Sequence, residues 1–324
     1  MSARATGVGS MPGEDFGEAT RLVLGELPEL SHLPEVPGRG AIAGMIGRTL
    51  GVIGELGFDL QPAGWRLTDA PGVDHRRARS LLAQDLDTFE ELTQGYEGEL
   101  KLQLTGPWTL ASSVEKPRGD RVLSDVGARR ELAQALAEGA REHLADVRRR
   151  VPGAQLLLQL DEPSLPAVMA GQVPTASGFN RHRSVTPPLA SEALEWVFAA
   201  AGQTTTVAHC CAAEPPIGLL RGAGAGGVSV DLGVLAAGAY DELATALDEG
   251  ARVLLGVVPS TGEAVPATRS VVERVLRLLD MLGFDPDEVA DQLVLTPACG
   301  MAGATPSYAR AALHAVQEAA AELG

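Results

Sequence analysis

Short apolar runs alternate with longer amphipathic stretches along almost the entire chain. The runs are four to six residues long and rich in Val, Leu or Thr, which is typical of parallel strands that are buried on both faces. They predict eight strands, at residues 6–9, 63–67, 99–104, 155–160, 204–208, 227–230, 252–257 and 293–296.

Helical periodicity fills the segments between these runs, most clearly at residues 74–96, 127–150, 190–201, 240–250, 267–282 and 307–323. Eight strands that alternate with helices predict an α/β fold, a single (β/α)8 TIM barrel over residues 1–324. A doubly wound open sheet is the alternative, but no Gly-x-Gly-x-x-Gly segment follows a predicted strand. The proline-rich segments 27–37 and 174–188 are expected to be long loops within this one domain.

The composition of the chain indicates which binding partners and which cellular compartment to expect. Hydrophobic residues make up 45% of the 324-residue chain, which indicates a globular protein, and the net charge of -16 argues against nucleic-acid or anionic-membrane partners. No apolar stretch approaches the length of a membrane span, and the first residues lack the apolar core of a signal peptide, so we expect a cytoplasmic protein. Three cysteines are too few for a disulfide framework.

Polar residues cluster at the carboxyl ends of the predicted strands, which is where reactive groups lie in a TIM barrel. In chain order these residues are Gly9, Ser10, Trp108, Asp161, Glu162, His209, Cys210, Cys211, Asp231 and Cys299. Because the carboxyl ends of all barrel strands meet on one face, these side chains are expected to converge there.

Four of these residues form a candidate zinc site. Side chains alternate in an extended strand, so His209 and Cys211 point the same way and Cys210 points the other way. Asp231 offers a carboxylate and Cys299 a second thiolate, which completes a tetrahedral set of zinc ligands. The alternative is structural, because single cysteines and histidines are often simply buried.

The remaining candidates suit the binding of a small molecule. Asp161 is placed to hold a substrate ammonium or to act as a catalytic acid or base, or else to cap a turn. The segment around Gly9 and Ser10 can present backbone N–H groups to a carboxylate, although such a segment is more often a tight turn. Trp108 either stacks on a flat ligand or packs in the interior.

In this combination and order the motifs resemble the cobalamin-independent methionine synthase family, specifically its C-terminal catalytic barrel. The motifs that carry the resemblance are Gly9-Ser10 with Pro12, Asp161-Glu162-Pro163, His209-x-Cys211, and Cys299-Gly300 after Thr296-Pro297. The turn Gly106-Pro107 and the barrel are also similar to the wider superfamily of uroporphyrinogen decarboxylase and zinc-dependent corrinoid methyltransferases.

The resemblance implies a methyltransferase that makes methionine from homocysteine. Zn²⁺ held by His209, Cys211, Asp231 and Cys299 would bind homocysteine as its thiolate. The family pattern further implies that Gly9 and Ser10 hold the amino-acid carboxylate and that Asp161 holds its ammonium. Trp108 falls in the segment that binds folate in the family.

Three departures from the family pattern leave the methyl donor open among a methylfolate, a methylated corrinoid protein and another methylated small molecule. Asp231 stands where the family has Glu, and residues 258–262, Val-Pro-Ser-Thr-Gly, lack the family's catalytic His. A chain of 324 residues accommodates one barrel, so the second, N-terminal barrel of full-length members is not expected. Transfer to another thiol, and a zinc- or amino-acid-binding protein without transfer activity, stay open as alternatives.

Overall fold

The computed structural model describes residues 3–323, and its centre is an eight-stranded parallel barrel. In chain order the strands are β1 Arg4–Ala5, β2 Leu30–His32, β3 Gly57–Gln61, β4 Gly64–Thr68, β5 Glu99–Thr105, β6 Gln155–Asp161, β7 Thr205–Cys210, β8 Gly227–Asp231, β9 Arg252–Val258 and β10 Leu293–Pro297. The barrel order is β1-β10-β9-β8-β7-β6-β5-β2. The backbone of Glu35 completes the ring just beyond β1 and β2. Its N–H donates to the Gly9 carbonyl at 3.1 Å, and its carbonyl accepts from the Met11 N–H at 2.7 Å. The predicted TIM barrel is confirmed.

Helices surround the barrel and bury their apolar faces against it. They are α1 Phe16–Glu26, α2 Met45–Val52, α3 Val73–Leu92, α4 Pro107–Ser113, α5 Val126–Arg150, α6 Leu165–Met169, α7 Pro187–Ala200, α8 Ile217–Gly222, α9 Gly238–Asp248, α10 Thr268–Leu282, α11 Pro286–Val289 and α12 Pro306–Glu322. In α5, for example, Leu132, Leu136 and Leu144 recur on one buried face. No helix within residues 3–323 is both long and apolar enough to cross a membrane.

The predicted second strand is wrong. Residues 64–68 form β4, which pairs antiparallel with β3 in a hairpin outside the barrel, and the second barrel strand is β2. The strand β2 lies in the proline-rich segment that was expected to be a loop, and it pairs in parallel with β5. Its three residues are too few to show a period of two, whereas the hairpin is long enough to resemble a barrel strand.

The first strand also lies earlier in the chain than predicted. Only the two residues of β1 pair with β10 as a strand. The predicted residues 6–9 follow β1, and the Thr6 N–H still donates to the Leu295 carbonyl of β10 at 3.0 Å. Residues 7–9 therefore lead from the barrel wall toward the face where the polar residues gather.

The barrel interior changes from apolar to polar along the strands. Five fully buried residues, one each from β2, β6, β7, β9 and β10, form a separate apolar layer: Leu30, Leu157, Val207, Leu254 and Val294. Because side chains alternate in a strand, the next inward positions lie two residues on, and there the interior carries His32, Gln159 and His209. The same alternation gives Asp161 and Cys211 their inward directions, so the strand register places the candidate site.

Candidate metal centre and substrate cavity

Three of the four predicted metal ligands lie together at the carboxyl ends of the strands. His209 is in β7, Cys211 directly follows it, and Cys299 follows β10. Their candidate ligand atoms all lie within 4.8 Å of one another, and the two sulfur atoms are 3.5 Å apart. Cys210 points away and is completely buried in the apolar packing.

The His209 ring has the orientation of an imidazole metal ligand. Its Nδ1 is hydrogen-bonded to the Ser229 hydroxyl at 2.9 Å, which fixes the ring. Its Nε2 is buried and has no hydrogen-bond partner among residues 3–323. A buried polar atom without a partner is costly, and metal ligation would relieve that cost. One imidazole and two thiols are the donor set that zinc prefers, so the residues fit the metal that the family resemblance implies.

The two thiols of the cluster differ in acidity, because the pKa of Cys299 is lowered and the pKa of Cys211 is raised. The sulfur atoms of Cys211 and Cys299 are hydrogen-bonded to each other at 3.5 Å, and this bond, together with the nearby His209, holds the pKa of Cys299 well below its usual value. The same bond, with burial, raises the pKa of Cys211. One of the two sulfurs is therefore prepared to be a thiolate, which is the form that binds metals.

Asp231 does not join this group of three. It ends β8, and its Oδ1 accepts a hydrogen bond of 2.7 Å from the Gly233 N–H. Burial raises the pKa of the half-buried carboxyl, and His209 and Cys299 are near enough for their charges to act on it. Asp231 thus stands beside the cluster, and its role as the fourth ligand stays a prediction.

A cavity of about 220 Å³ opens directly onto the cluster. His209, Cys211 and Cys299 form one side of it, and most of the predicted substrate-binding residues form the rest. The lining residues are Val8, Gly9, Ser10, Glu35, Met45, Asp161, Pro163, His209, Cys211, Cys299, Gly300 and Ala302.

The loop of Ser10 and the loop of Gly300, which both line the cavity, are in direct backbone contact. The Met301 N–H donates to the Ser10 carbonyl at 2.8 Å. A Cβ atom on Gly300 would lie 2.9 Å from the Ser10 Cβ, so only glycine permits this approach. The loop that carries Cys299 is therefore fixed against the loop that carries Ser10.

Asp161 is buried at the cavity and is oriented by Gln159, whose Nε2 donates to Oδ1 at 2.7 Å. Burial raises the pKa of Asp161, and the nearby His209 and Lys101 oppose that effect. The carboxyl group therefore has an internal partner and still faces the cavity. A ligand ammonium would compensate its remaining burial cost.

Glu35 is a cavity residue that the sequence analysis missed. Its carboxylate is buried and accepts a hydrogen bond of 3.3 Å from the Ser10 hydroxyl, and burial raises its pKa to about 7. It follows β2 by three residues, so it could have been found only by recognising β2 as a barrel strand. Its acidic side chain among prolines was the available signal.

Trp108 is not brought to the cavity. The indole is buried, its Nε1 donates to the Ala190 carbonyl at 3.0 Å, and the Arg129 guanidinium lies 5.7 Å from the ring centre. Its backbone N–H donates to the Glu162 carboxylate at 2.8 Å. These contacts fix the indole at the start of α4, outside this cavity, and a role for Trp108 in ligand binding stays a prediction.

The model for the catalytic domain of the cobalamin-independent synthases matches residues 82–322 of the chain. The chain belongs to the cobalamin-independent methionine synthase family. The resemblance inferred from the short motifs is thereby confirmed. The match contains Asp161 and all four predicted metal ligands, whereas Gly9, Ser10 and Glu35 lie before it and reach the site through β1 and β2.

The solved structure of a methionine synthase agrees with this family's fold. A B12-independent methionine synthase from Shewanella sp. W3-18-1, solved in complex with selenomethionine, superposes with a TM-score of 0.65 at 13% identity. The superposition covers 100% of this chain and 98% of that one. A family 2 AP endonuclease from Brucella melitensis gives a TM-score of 0.45 at 11% identity, covering 95% of this chain and 96% of its own. No curated protein sequence matches the chain.

Proposed function

We propose that this protein is a zinc-dependent methyltransferase that transfers a methyl group to the thiol of homocysteine and so forms methionine. The observation that carries the proposal is the His209, Cys211 and Cys299 cluster, which opens onto a cavity bounded by buried carboxylates. Soft ligands on one side and acidic groups on the other are suited to a molecule that carries both a thiol and an ammonium.

His209, Cys211 and Cys299 would hold the zinc ion, with the Asp231 carboxylate as the fourth ligand. When bound, zinc lowers the pKa of a coordinated thiol so that the sulfur is a nucleophilic thiolate at neutral pH. The protein contributes the fixed orientation of its ligands, through the bond between His209 and Ser229 and the contact between the loops of Ser10 and Gly300.

The opposite side of the cavity would recognise the amino-acid head group. Asp161 and Glu35 present two buried carboxylates to the substrate ammonium, and the backbone at Gly9 and Ser10 takes its carboxylate. The Ser10 hydroxyl already donates to Glu35, which joins the two subsites. Asp161 thereby acts as the residue that orients the substrate so that its sulfur is held for attack on the methyl group.

The methyl donor is a methylfolate or a methylcorrinoid. A folate leaving group must be protonated, and residues 258–262, at and after the end of β9, offer no histidine for that step. A corrinoid leaves without protonation, which favours a methylcorrinoid protein.

The test is a donor panel. Zinc-loaded protein is incubated with homocysteine and with methyltetrahydrofolate, its polyglutamate, or methylcobalamin, free and protein-bound, and methionine is measured by mass spectrometry. We expect methionine with at least one donor, and a preference for homocysteine over other thiols in competition. If other thiols are methylated instead, the acceptor is wrong; if no thiol is methylated by any donor, the protein is a binding protein that lacks transfer activity.

A further inference from the structure

A lysine is buried inside the barrel directly beneath the substrate cavity. Lys101 lies in β5 and is completely shielded from solvent, although the chain contains only one other lysine, Lys116. An ammonium group is rarely placed in a protein interior without a specific partner, because its desolvation is expensive. Arg supplies nearly all the other positive charge, so the choice of a compact ammonium at this position calls for an explanation.

The contacts of Lys101 join the two ends of the proposed amino-acid site. Its Nζ donates to the Val8 carbonyl at 2.7 Å. The Nε2 of Gln159 donates to the same carbonyl at 3.0 Å and to the Asp161 carboxylate at 2.7 Å. Val8 directly precedes Gly9 and Ser10. One carbonyl oxygen therefore connects the segment that would take the substrate carboxylate with the side chain that would take its ammonium.

The charged groups near Lys101 also link it to the proposed amino-acid site, because Asp161 and Glu35 favour its protonated form. Burial lowers the pKa of Lys101 to about 8, while Asp161 and Glu35 act to keep it protonated. His32 is its register partner on β2, and burial, followed by the Lys101 charge, holds the pKa of this histidine well below its usual value. The imidazole is therefore neutral, and Lys101 is a buried cation near both carboxylates, while the buried Arg48 also acts on Glu35.

We propose that Lys101 is a positioning residue for amino-acid recognition, which fixes the distance between the Ser10 segment and Asp161 through the Val8 carbonyl. This inference rests on the proposed function, because it concerns the same substrate. It adds that selectivity for a complete α-amino acid depends on a group that does not touch the ligand. A thiol without a head group would reach the metal without using this arrangement.

The test compares two thiols on zinc-loaded protein by isothermal titration calorimetry. Homocysteine carries the amino-acid head group, and 2-mercaptoethanol lacks it. In Lys101→Met, which keeps the length of the side chain but removes the ammonium, we expect homocysteine affinity to fall about tenfold, the loss typical of one charge-assisted hydrogen bond. The affinity for 2-mercaptoethanol and the zinc content should not change. Lys116→Met removes the partly exposed second lysine and should match the wild type.

Several outcomes would overturn the inference. If Lys101→Met binds homocysteine as the wild type does, or loses affinity for both thiols equally, the lysine has no role in head-group recognition. If that variant does not fold, Gln159→Met removes the bridge from Val8 to Asp161 and should show the same selective loss; an equal loss for both thiols again refutes the inference. A wild-type chain that does not bind homocysteine refutes the proposed function itself and this inference with it.

Discussion

At the scale of single residues, two adjacent cysteines show how the backbone separates packing from chemistry. Cys210 is buried among apolar side chains, and that burial raises its pKa to about 12, so it stays an inert thiol. Cys211 faces the cavity and lies next to Cys299. The alternation of a strand is sufficient to produce this difference between neighbours.

The first prediction uses this pair. Cys211→Ser and Cys299→Ser should each lose most of the bound zinc, because each removes a thiolate ligand. Metal content after dialysis against a weak chelator measures the loss. Cys210→Ala is the matched control and should retain about one zinc per chain. Full zinc content in both serine variants would show that the cluster is not the metal site.

The second prediction concerns Asp161. Asp161→Asn keeps the acceptor for Gln159 but removes the charge, so it should weaken homocysteine binding by about tenfold or more and leave the zinc content unchanged. Calorimetric titration with homocysteine and metal analysis of the same preparation separate the two effects. An unchanged affinity for homocysteine would assign Asp161 a purely structural role.

At the scale of elements, Glu162 connects α4, β6 and β7 at the edge of the site. Its buried carboxylate accepts hydrogen bonds from the Trp108 N–H and from the Thr109 N–H, each at 2.8 Å, and from the Thr109 hydroxyl at 2.7 Å. Its own N–H donates to the His209 carbonyl at 2.8 Å. The residue next to Asp161 thus anchors the first turn of α4 to β6 and to β7, the strand that carries His209.

The third prediction follows from these bonds. Glu162→Ala leaves three buried donors without their acceptor, at a cost of about 1 kcal/mol or more for each, so the free energy of unfolding should fall by about 3 kcal/mol. Urea denaturation measures the change. Glu192→Ala, on the exposed face of α7, is the control and should change stability by less than about 0.5 kcal/mol. A similar small effect of Glu162→Ala would mean that α4 is held by packing alone.

The elements that could be predicted from sequence were those with long apolar runs. β5, β6, β7 and β9 each bury five or six residues in a parallel sheet, and the candidate site residues at the ends of such strands followed from that pattern. β2 was missed because parallel pairing with β5, not its own three residues, makes it a strand. Because β2 was not predicted, Glu35 was not recognised as a residue at the end of a barrel strand. The sequence around Trp108 does not determine the direction of its side chain.

At the scale of the whole molecule, the cluster connects distant parts of the barrel. His209 and Cys211 belong to β7 and the residue after it, Cys299 follows β10, and β8 and β9 lie between these strands. Any ligand that binds both groups closes the face of the barrel across two strands. Because it would bind only the folded chain in this geometry, it should stabilise the fold.

The fourth prediction is a difference in thermal stability. Removal of zinc by a chelator should lower the melting temperature, since a ligand at 100 times its Kd contributes about 2.7 kcal/mol to the folded state. Differential scanning calorimetry with and without chelator measures this shift. The Cys211→Ser variant should melt at the same temperature in both conditions, and a wild type that does the same would contradict a structural contribution of the metal.

The most direct test of the central claim is the zinc X-ray absorption spectrum of the purified protein, recorded with and without homocysteine. We predict about one zinc per chain, with two sulfur ligands from Cys211 and Cys299 in the free protein and a third sulfur when homocysteine is present. No zinc, or a zinc spectrum that homocysteine leaves unchanged, would contradict thiol activation at this site.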